Sequence, residues 1–378
     1  MKLFHISDLH LGKRLNEYSL LEDQRFILSQ IIAAIDAEKP DALLIAGDVY
    51  DKPIPPVEAV TLFDDFLYQL TQRNLKVFLI SGNHDSAERV AFGSRLFSRN
   101  GLYFSPAYQG AVSPVTLSDE YGTIDFFLLP FIKPVHIRRF HPEDEVVTYT
   151  DAVSSAIRHM NVDPARRTIL VTHQFVTGAS LSDSEEISVG GSENVDASVF
   201  APFDYVALGH IHRPQSISTP AIRYCGSPLK YSFSEAEQQK SITIVQLTEK
   251  GHVEVSTLPL KPKRELRKIK NAFSTLTDPS YYHTQDRDAY WQITLTDEEL
   301  IPNAVQILRQ IFPNLLHLSF DNRRTAINQT MTAAIQPEKR EPEDLFAELY
   351  EMQNNQPMSI EQRQYIHQLV EQIQEAQK

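Results

Sequence analysis

Short apolar runs recur through the first two thirds of the chain, and a polar cluster closes each one. KLFHIS, ALLIA, KVFLI, TILVT and DYVAL are rich in Leu, Ile, Val and Phe, bounded by Gly or Asp. Such runs predict strands buried on both faces, as in parallel sheets. Between them, 20–36 and 57–70 follow helical spacing. Strands alternating with helices predict a layered α/β sandwich, and strand-like stretches at 111–117, 123–129, 241–248 and 252–258 extend it.

The pattern changes after Pro259 and Pro262. A strand at 290–295, a helix at 301–311 and a strand at 315–320 predict a small α/β cap. From about Ala334 the chain turns polar, with helices predicted at 343–352 and 359–377. Ser359 and Gln362 have the spacing of a capping box. Ile366, Leu369, Val370 and Ile373 form one narrow apolar stripe, which either folds back or docks on a partner helix. Three parts follow: 1–260, 261–335 and 336–378.

The clusters after the five runs carry the chemistry. They are Asp8-Leu9-His10, Gly47-Asp48, Gly82-Asn83-His84-Asp85, Thr172-His173 and Gly209-His210-Ile211-His212. Ligands of open α/β sheets bind beyond the carboxyl ends of the strands, so these loops point at one crevice. In extended backbone, residues two apart share a side. Asp8 can therefore reach one metal with His10, and His210 with His212 if the chain stays extended past Gly209. Asp48, on a tight turn behind Gly47, can bridge two ions. Asn83 offers an amide oxygen and His173 an imidazole. A set of oxygen and nitrogen donors without thiolate suits Mn(II), Fe(II) or Zn(II) better than Ca(II) or Mg(II). Two such ions clamp a phosphoryl group and activate water. His84, beside a ligand, is free to face substrate and protonate a leaving oxygen, with Asp85 or a backbone carbonyl orienting its ring.

Other residues read more plainly. His5 is expected to be a packed structural histidine. His136, His141, His159, His252, His283, His317 and His367 have no partner at ligand spacing, so surface or packing roles are expected. Cys225 reads as a small buried residue.

In series, D-x-H, G-D, G-N-H-D, H and G-H-x-H resemble the calcineurin-like metallophosphoesterase superfamily. HISDLHLGKRL, IAGDVYDKPIPP, ISGNHDSAERVAFGS, LPF at 129–131 and GHIHRPQ…YCGSPLKYSFSE are similar to its SbcD family of nuclease subunits. The resemblance runs from Met1 to about Thr257. It implies an α/β/β/α metallophosphoesterase sandwich with a small α/β cap and carboxy-terminal helices. It places Asp8, His10, Asp48 and His212 around one metal, and Asp48, Asn83, His173 and His210 around the other. His84 would handle the scissile phosphodiester, supported by Asp85. It further implies two Mn(II) ions, other divalent transition metals being possible. The implied activity is a 3'-5' double-strand exonuclease and a single-strand and hairpin endonuclease acting in DNA repair, recombination and replication. DNA ends and hairpins, an SbcC-type coiled-coil ABC ATPase docked by the tail helices, and a homodimer within a heterotetramer are the implied partners. The alternative is a free-standing metallophosphoesterase acting on small phosphodiesters.

Composition narrows the setting. At 378 residues the chain can hold two domains. One cysteine excludes a disulfide scaffold and fits a reducing compartment. The amino terminus reads as a strand rather than a signal peptide, and no apolar run of about 18 residues exists to span a bilayer. A cytoplasmic enzyme without a membrane partner is expected. The net charge of −13 runs against a nucleic-acid binder. Lys261, Lys263, Arg264, Arg267, Lys268 and Lys270 nevertheless form a local basic stripe, either DNA-facing or a solvated linker. The acidic segment 178–193 reads as a loop, either a lid or an inert surface excursion.

Overall fold

The computed structural model describes residues 1–185, 193–299, 301–322, 346, 347, 350, 358–366 and 369. Two six-stranded sheets form its centre. The first runs in the order Val253–Pro259, Ser241–Leu247, Lys2–Ile6, Ala42–Ala46, Lys76–Ile80, Leu102–Phe104. The second runs Gln215–Ile217, Thr219–Tyr224, Tyr205–Gly209, Arg167–His173, Gly122–Leu129, Val115–Asp119. All five runs read as buried strands pair in parallel with a neighbour, and antiparallel strands occur only toward the sheet margins.

Uninterrupted apolar runs are needed because both faces of each sheet are covered. Leu44, Ala46 and Phe78 of the first sheet pack against Phe126, Ile169 and Val171 of the second. The rings of Phe78 and Phe126 stack at 4.2 Å across this interface. Leu43, Ile45 and Val77 point the other way, onto Ile27, Ile31, Phe63 and Phe66 of helices Leu21–Glu38 and Val57–Thr71. On the far side, Phe127, Leu170 and Val206 pack on Ala152, Val153 and Ala156 of helix Tyr149–Arg158. The result is the expected α/β/β/α sandwich. Burying each large side chain contributes roughly 1.5–3 kcal/mol, which fixes the strand ends that carry the site.

A third sheet, in the order Leu266–Asn271, Tyr290–Leu295, Leu315–Phe320, forms the cap together with helix Ala304–Ile311. Two expectations shift here. The second half of the basic stripe lies in the edge strand Leu266–Asn271, parallel to Tyr290–Leu295, with Arg267, Lys268 and Lys270 exposed. Lys263 and Arg264 are already neutralised: both pair with Glu22, and Arg264 also reaches Asp23 at 3.1 Å. The Tyr290 hydroxyl donates to the same Asp23 carboxylate at 2.8 Å. The cap helix begins at Ala304 rather than 301, because Asn303 is left-handed (φ 57°) and closes the preceding turn. Likewise, the strand expected at 111–117 starts only after Pro114, at Val115.

The residues group into two compact units, Met1–Leu295 with Ile301–Ser319, and Thr296–Leu300 with Phe320–Lys378. Within the second, Ser359 N–H donates to Gln362 at 2.9 Å and the Gln362 N–H returns to Ser359 at 3.2 Å, the expected capping box. Most of the expected helices 343–352 and 359–377, including Val370 and Ile373 of the stripe, lie outside the described residues, as do 186–192 of the acidic loop. Among the described residues, no helix is long and apolar enough to cross a membrane.

Candidate metal centre

Strand ends from both sheets meet at one edge of the sandwich. Asp8, His10, Asp48 and Asn83 come from the first sheet, and His173, His210 and His212 from the second. The two layers touch where Gly209 faces Ala46. A methyl group on Gly209 would lie 1.9 Å from the Ala46 carbonyl oxygen, so only glycine permits this approach. Between neighbouring loops of the first sheet, Gly82 likewise allows a close approach to Asp48, whose Oδ1 would lie 2.1 Å from an added Cβ.

The route by which paired ligands converge differs from the expected one. Asp8, His10, Asp48 and His210 have φ of 53°, 41°, 49° and 99°, so the chain is not extended there. Left-handed turns, rather than strand alternation, aim these side chains. The turns are held by neighbouring loops: Asp8 N–H donates to Gly47 O and His10 N–H to Asp48 O, each at 3.0 Å. Such backbone is uncommon outside glycine, though Asp and His tolerate it better than most. Concentrated at one place, it marks a site where geometry is imposed by surrounding structure.

All seven donors expected in the centre come together. Asn83 Oδ1 lies 2.9 Å from His173 Nε2 and 3.0 Å from His210 Nδ1. Asp48 Oδ2 lies 3.3 Å from His173 Nε2 and 3.6 Å from His10 Nε2, between the two halves. His10 Nε2 and His212 Nε2 face each other at 3.1 Å. Asp8, His10 and His212 form one group with ligand atoms within 4.8 Å of each other, and Asp8, Asp48 and His173 another.

The chemistry of these contacts fits cations. His173 Nδ1 donates to the Ala46 carbonyl at 2.8 Å, which leaves its Nε2 lone pair facing an amide oxygen and a carboxylate. Lone pairs facing lone pairs in a buried site require positive charge between them. Burial pulls the His173 imidazolium down, but the Asp48 and Asp8 carboxylates outweigh it and lift the group to about 9, so the surroundings of this ring favour positive charge. Burial also holds His10 well below its ordinary value and His210 down to about 3, keeping both in the neutral form a metal takes. Asp48 stays ionised: burial pushes its carboxyl up, but His173 and its neighbours pull it well below the usual carboxylate range.

His84 and Asp85 part company. The His84 ring lies 4.8 Å from that of His10, and its Nδ1 faces the Asp51 carbonyl at 3.1 Å, so the backbone carbonyl orients it. Asp85 instead accepts the backbone N–H groups of Val49, Tyr50 and Gly82, each at 3.0 Å, and ties the Asp48 loop to the Asn83 loop. Burial and the Asp48 charge raise its carboxyl to about 6.

Away from the centre, His5 is packed as expected, with Nδ1 at 2.9 Å from the Tyr205 hydroxyl. Cys225 is buried against Ser7. His141 and His159, which spacing left without partners, stack at 3.6 Å and 9°. Rings so parallel cannot both aim an in-plane lone pair at one ion, so packing is their role. Four residues behind His212 had no spacing signal: Ser184, Glu185, Glu235 and Lys240.

A profile of the family described as calcineurin-like phosphoesterase matches residues 1–214. A second, described as the type 5 capsule protein repressor C-terminal domain, matches 262–354. The chain is 36% identical over 323 residues to the SbcD component of the nuclease SbcCD from Staphylococcus epidermidis, covering 84% of this chain and 85% of that one. Among solved structures, it is similar to a dimetal phosphatase from Danio rerio at 12% identity, covering 69% of this chain and 99% of that one, with a TM-score of 0.40. The E. coli phosphoesterase Yfce aligns at 14% identity over 69% and 100% of the two chains, with a TM-score of 0.28.

Proposed function

The chain belongs to the calcineurin-like phosphoesterase family, in its SbcD branch, and on that premise we propose that it is the metal-dependent nuclease subunit of an SbcCD-type complex. The observation that carries this reading is the close convergence of Asp8, His10, Asp48, Asn83, His173, His210 and His212, with Asn83 Oδ1 within 3.0 Å of both His173 Nε2 and His210 Nδ1 and with His10 Nε2 3.1 Å from His212 Nε2. Asp8, His10, Asp48 and His212 would hold one ion, and Asp48, Asn83, His173 and His210 the other, with Asp48 shared. When bound, such a pair of divalent ions supplies Lewis-acid polarisation of the phosphodiester and an acidified water. Mn(II) suits this mixed oxygen and imidazole set.

The chain's own groups then act as follows. His84, with Nδ1 engaged by the Asp51 carbonyl, presents Nε2 to the leaving oxygen and delivers or shares a proton there. Asp85 is a positioning residue that keeps the Asp48 and Asn83 loops in register. The substrate is DNA at ends and hairpins. Arg267 and Lys268, exposed on the cap edge strand, can meet phosphates even though the whole chain is acidic. An SbcC-type ATPase is the partner, captured by the residues after about 335. Pairing of two copies is supported by apolar side chains left in solvent: Ile54, Val57, Phe92 and Leu96 are 73%, 76%, 81% and 71% exposed. The cytoplasm is the compartment, in accord with a single free cysteine.

Cleavage of linear duplex and hairpin DNA by the purified chain with Mn(II) tests this. Cleavage should disappear with chelator and return with Mn(II). Metal uptake without cleavage of any DNA substrate, alone or with the ATPase, would refute the nuclease reading.

A further inference from the structure

His212 is gripped from behind by residues to which neither the family resemblance nor ligand spacing gives a role. Its Nδ1 lies 2.7 Å from Ser184 Oγ, and that hydroxyl donates to Glu235 Oε1 at 2.5 Å. Glu235 is fully buried, and among the described residues its other hydrogen bonds also come from donors: Tyr231 N–H at 3.2 Å, Ser232 Oγ at 3.2 Å, and Lys240 Nζ at 2.5 Å. It is therefore a carboxylate, with no proton to give. Ser184 has one hydroxyl proton and directs it to Glu235, so its oxygen must accept from His212. That places a proton on His212 Nδ1 and leaves the Nε2 lone pair facing His10 at the metal centre.

The same group holds the backbone of the ligand. Lys240, 2% exposed, donates to the His212 carbonyl at 2.7 Å and to Ser227 Oγ at 3.0 Å as well as to Glu235. Glu185 Oε1 accepts the His212 N–H at 2.7 Å, and its other oxygen accepts Ser182 N–H at 2.5 Å. His212 is thus fixed at its N–H, its carbonyl and its ring.

We propose that Ser184, Glu235 and Lys240 form a hydrogen-bonded relay that sets the tautomer of His212 and thereby tunes the affinity of one of the two ions. Ser184 and Glu185 are then positioning residues, and the described part of the acidic 178–193 segment fastens a ligand. Hydrogen-bond partners of metal-bound histidines commonly contribute 10–100-fold in affinity, because they orient the ring and raise its basicity. The relay rests on the metal-centre assignment proposed above.

The test is a Mn(II) titration of the full chain, read by the paramagnetic resonance signal of free ion, for the parent, Ser184→Ala and Ser184→Thr. Ser184 lies in a surface loop, so its loss leaves the sandwich intact. The parent should take up two ions. Ser184→Ala should weaken one binding step roughly 10–100-fold and leave the other unchanged, and Ser184→Thr, which keeps the hydroxyl, should restore it. A parent with two steps and an alanine variant matching it would overturn the relay alone. So would a threonine variant as weak as alanine. A parent that takes up fewer than two ions would overturn the two-ion centre itself, and the relay with it.

Discussion

Replacing Gly209 with Ala probes the junction on which the centre is built. The added methyl would sit 1.9 Å from Ala46 O and 2.7 Å from His173 Nδ1, the two partners of the 2.8 Å bond that fixes His173. To reach ordinary contact, the carbonyl and the methyl must separate by more than about 1 Å, and a close-packed interior resists such a shift. Two consequences follow. Overpacking should destabilise the metal-free protein by roughly 1–3 kcal/mol. Loss of the Ala46 bond should free the His173 ring and weaken the ion shared with Asn83 and His210 by roughly 10–100-fold. Gly251→Ala is the control, because it also adds a methyl but meets nothing within 4 Å among the described residues, so only its left-handed φ of 81° is strained. Thermal unfolding without metal measures the first effect and Mn(II) titration the second. If Gly209→Ala binds both ions as tightly as the parent, the bond between the sheets does not position His173.

Further outcomes are expected elsewhere. His84→Ala should keep metal uptake but lower DNA cleavage about 10²–10⁴-fold, and unchanged cleavage would remove that imidazole from the chemistry. Tyr290→Phe removes the donor to the buried Asp23 carboxylate and should cost about 1.5–3 kcal/mol in denaturant unfolding; no change would mean the cap is held by other contacts. Burial pushes the Asp119 carboxyl up, but Arg167, bonded to it at 3.1 Å, helps hold it well below the usual range. That pair therefore stabilises above a pH of about 4 and loses its contribution as pH falls below it, so the gap in Tm between the parent and Asp119→Asn should narrow on acidification. A gap independent of pH would refute it. Deleting the residues after 335 should leave metal-dependent cleavage but abolish ATPase capture, and intact capture would place the docking element elsewhere.

The sandwich and the convergence of the seven candidate ligands were legible because both signals are local. A run such as ALLIA has no polar residue to spare for solvent, and each donor cluster follows its run immediately. What the sequence hid depends on distant contacts. Nothing in D-x-H distinguishes an extended from a left-handed path, since Gly47 and Asp48 of a neighbouring loop impose the turn. Strand Leu266–Asn271 is masked by lysines and arginines, which suit an exposed edge but read as a linker. Lys263 and Arg264 look free until Glu22 and Asp23, more than 200 positions away, meet them. Ser184 likewise has no signal of its own, because its partners are His212 and Glu235.

The most direct measurement is anomalous diffraction at the manganese edge from crystals grown with excess Mn(II). Two peaks per chain are expected, one among Asp8, His10 and His212 and one among Asn83, His173 and His210, with the Asp48 carboxylate touching both. A map with no peak between these side chains, or a single peak that leaves either group empty, would contradict the two-ion centre.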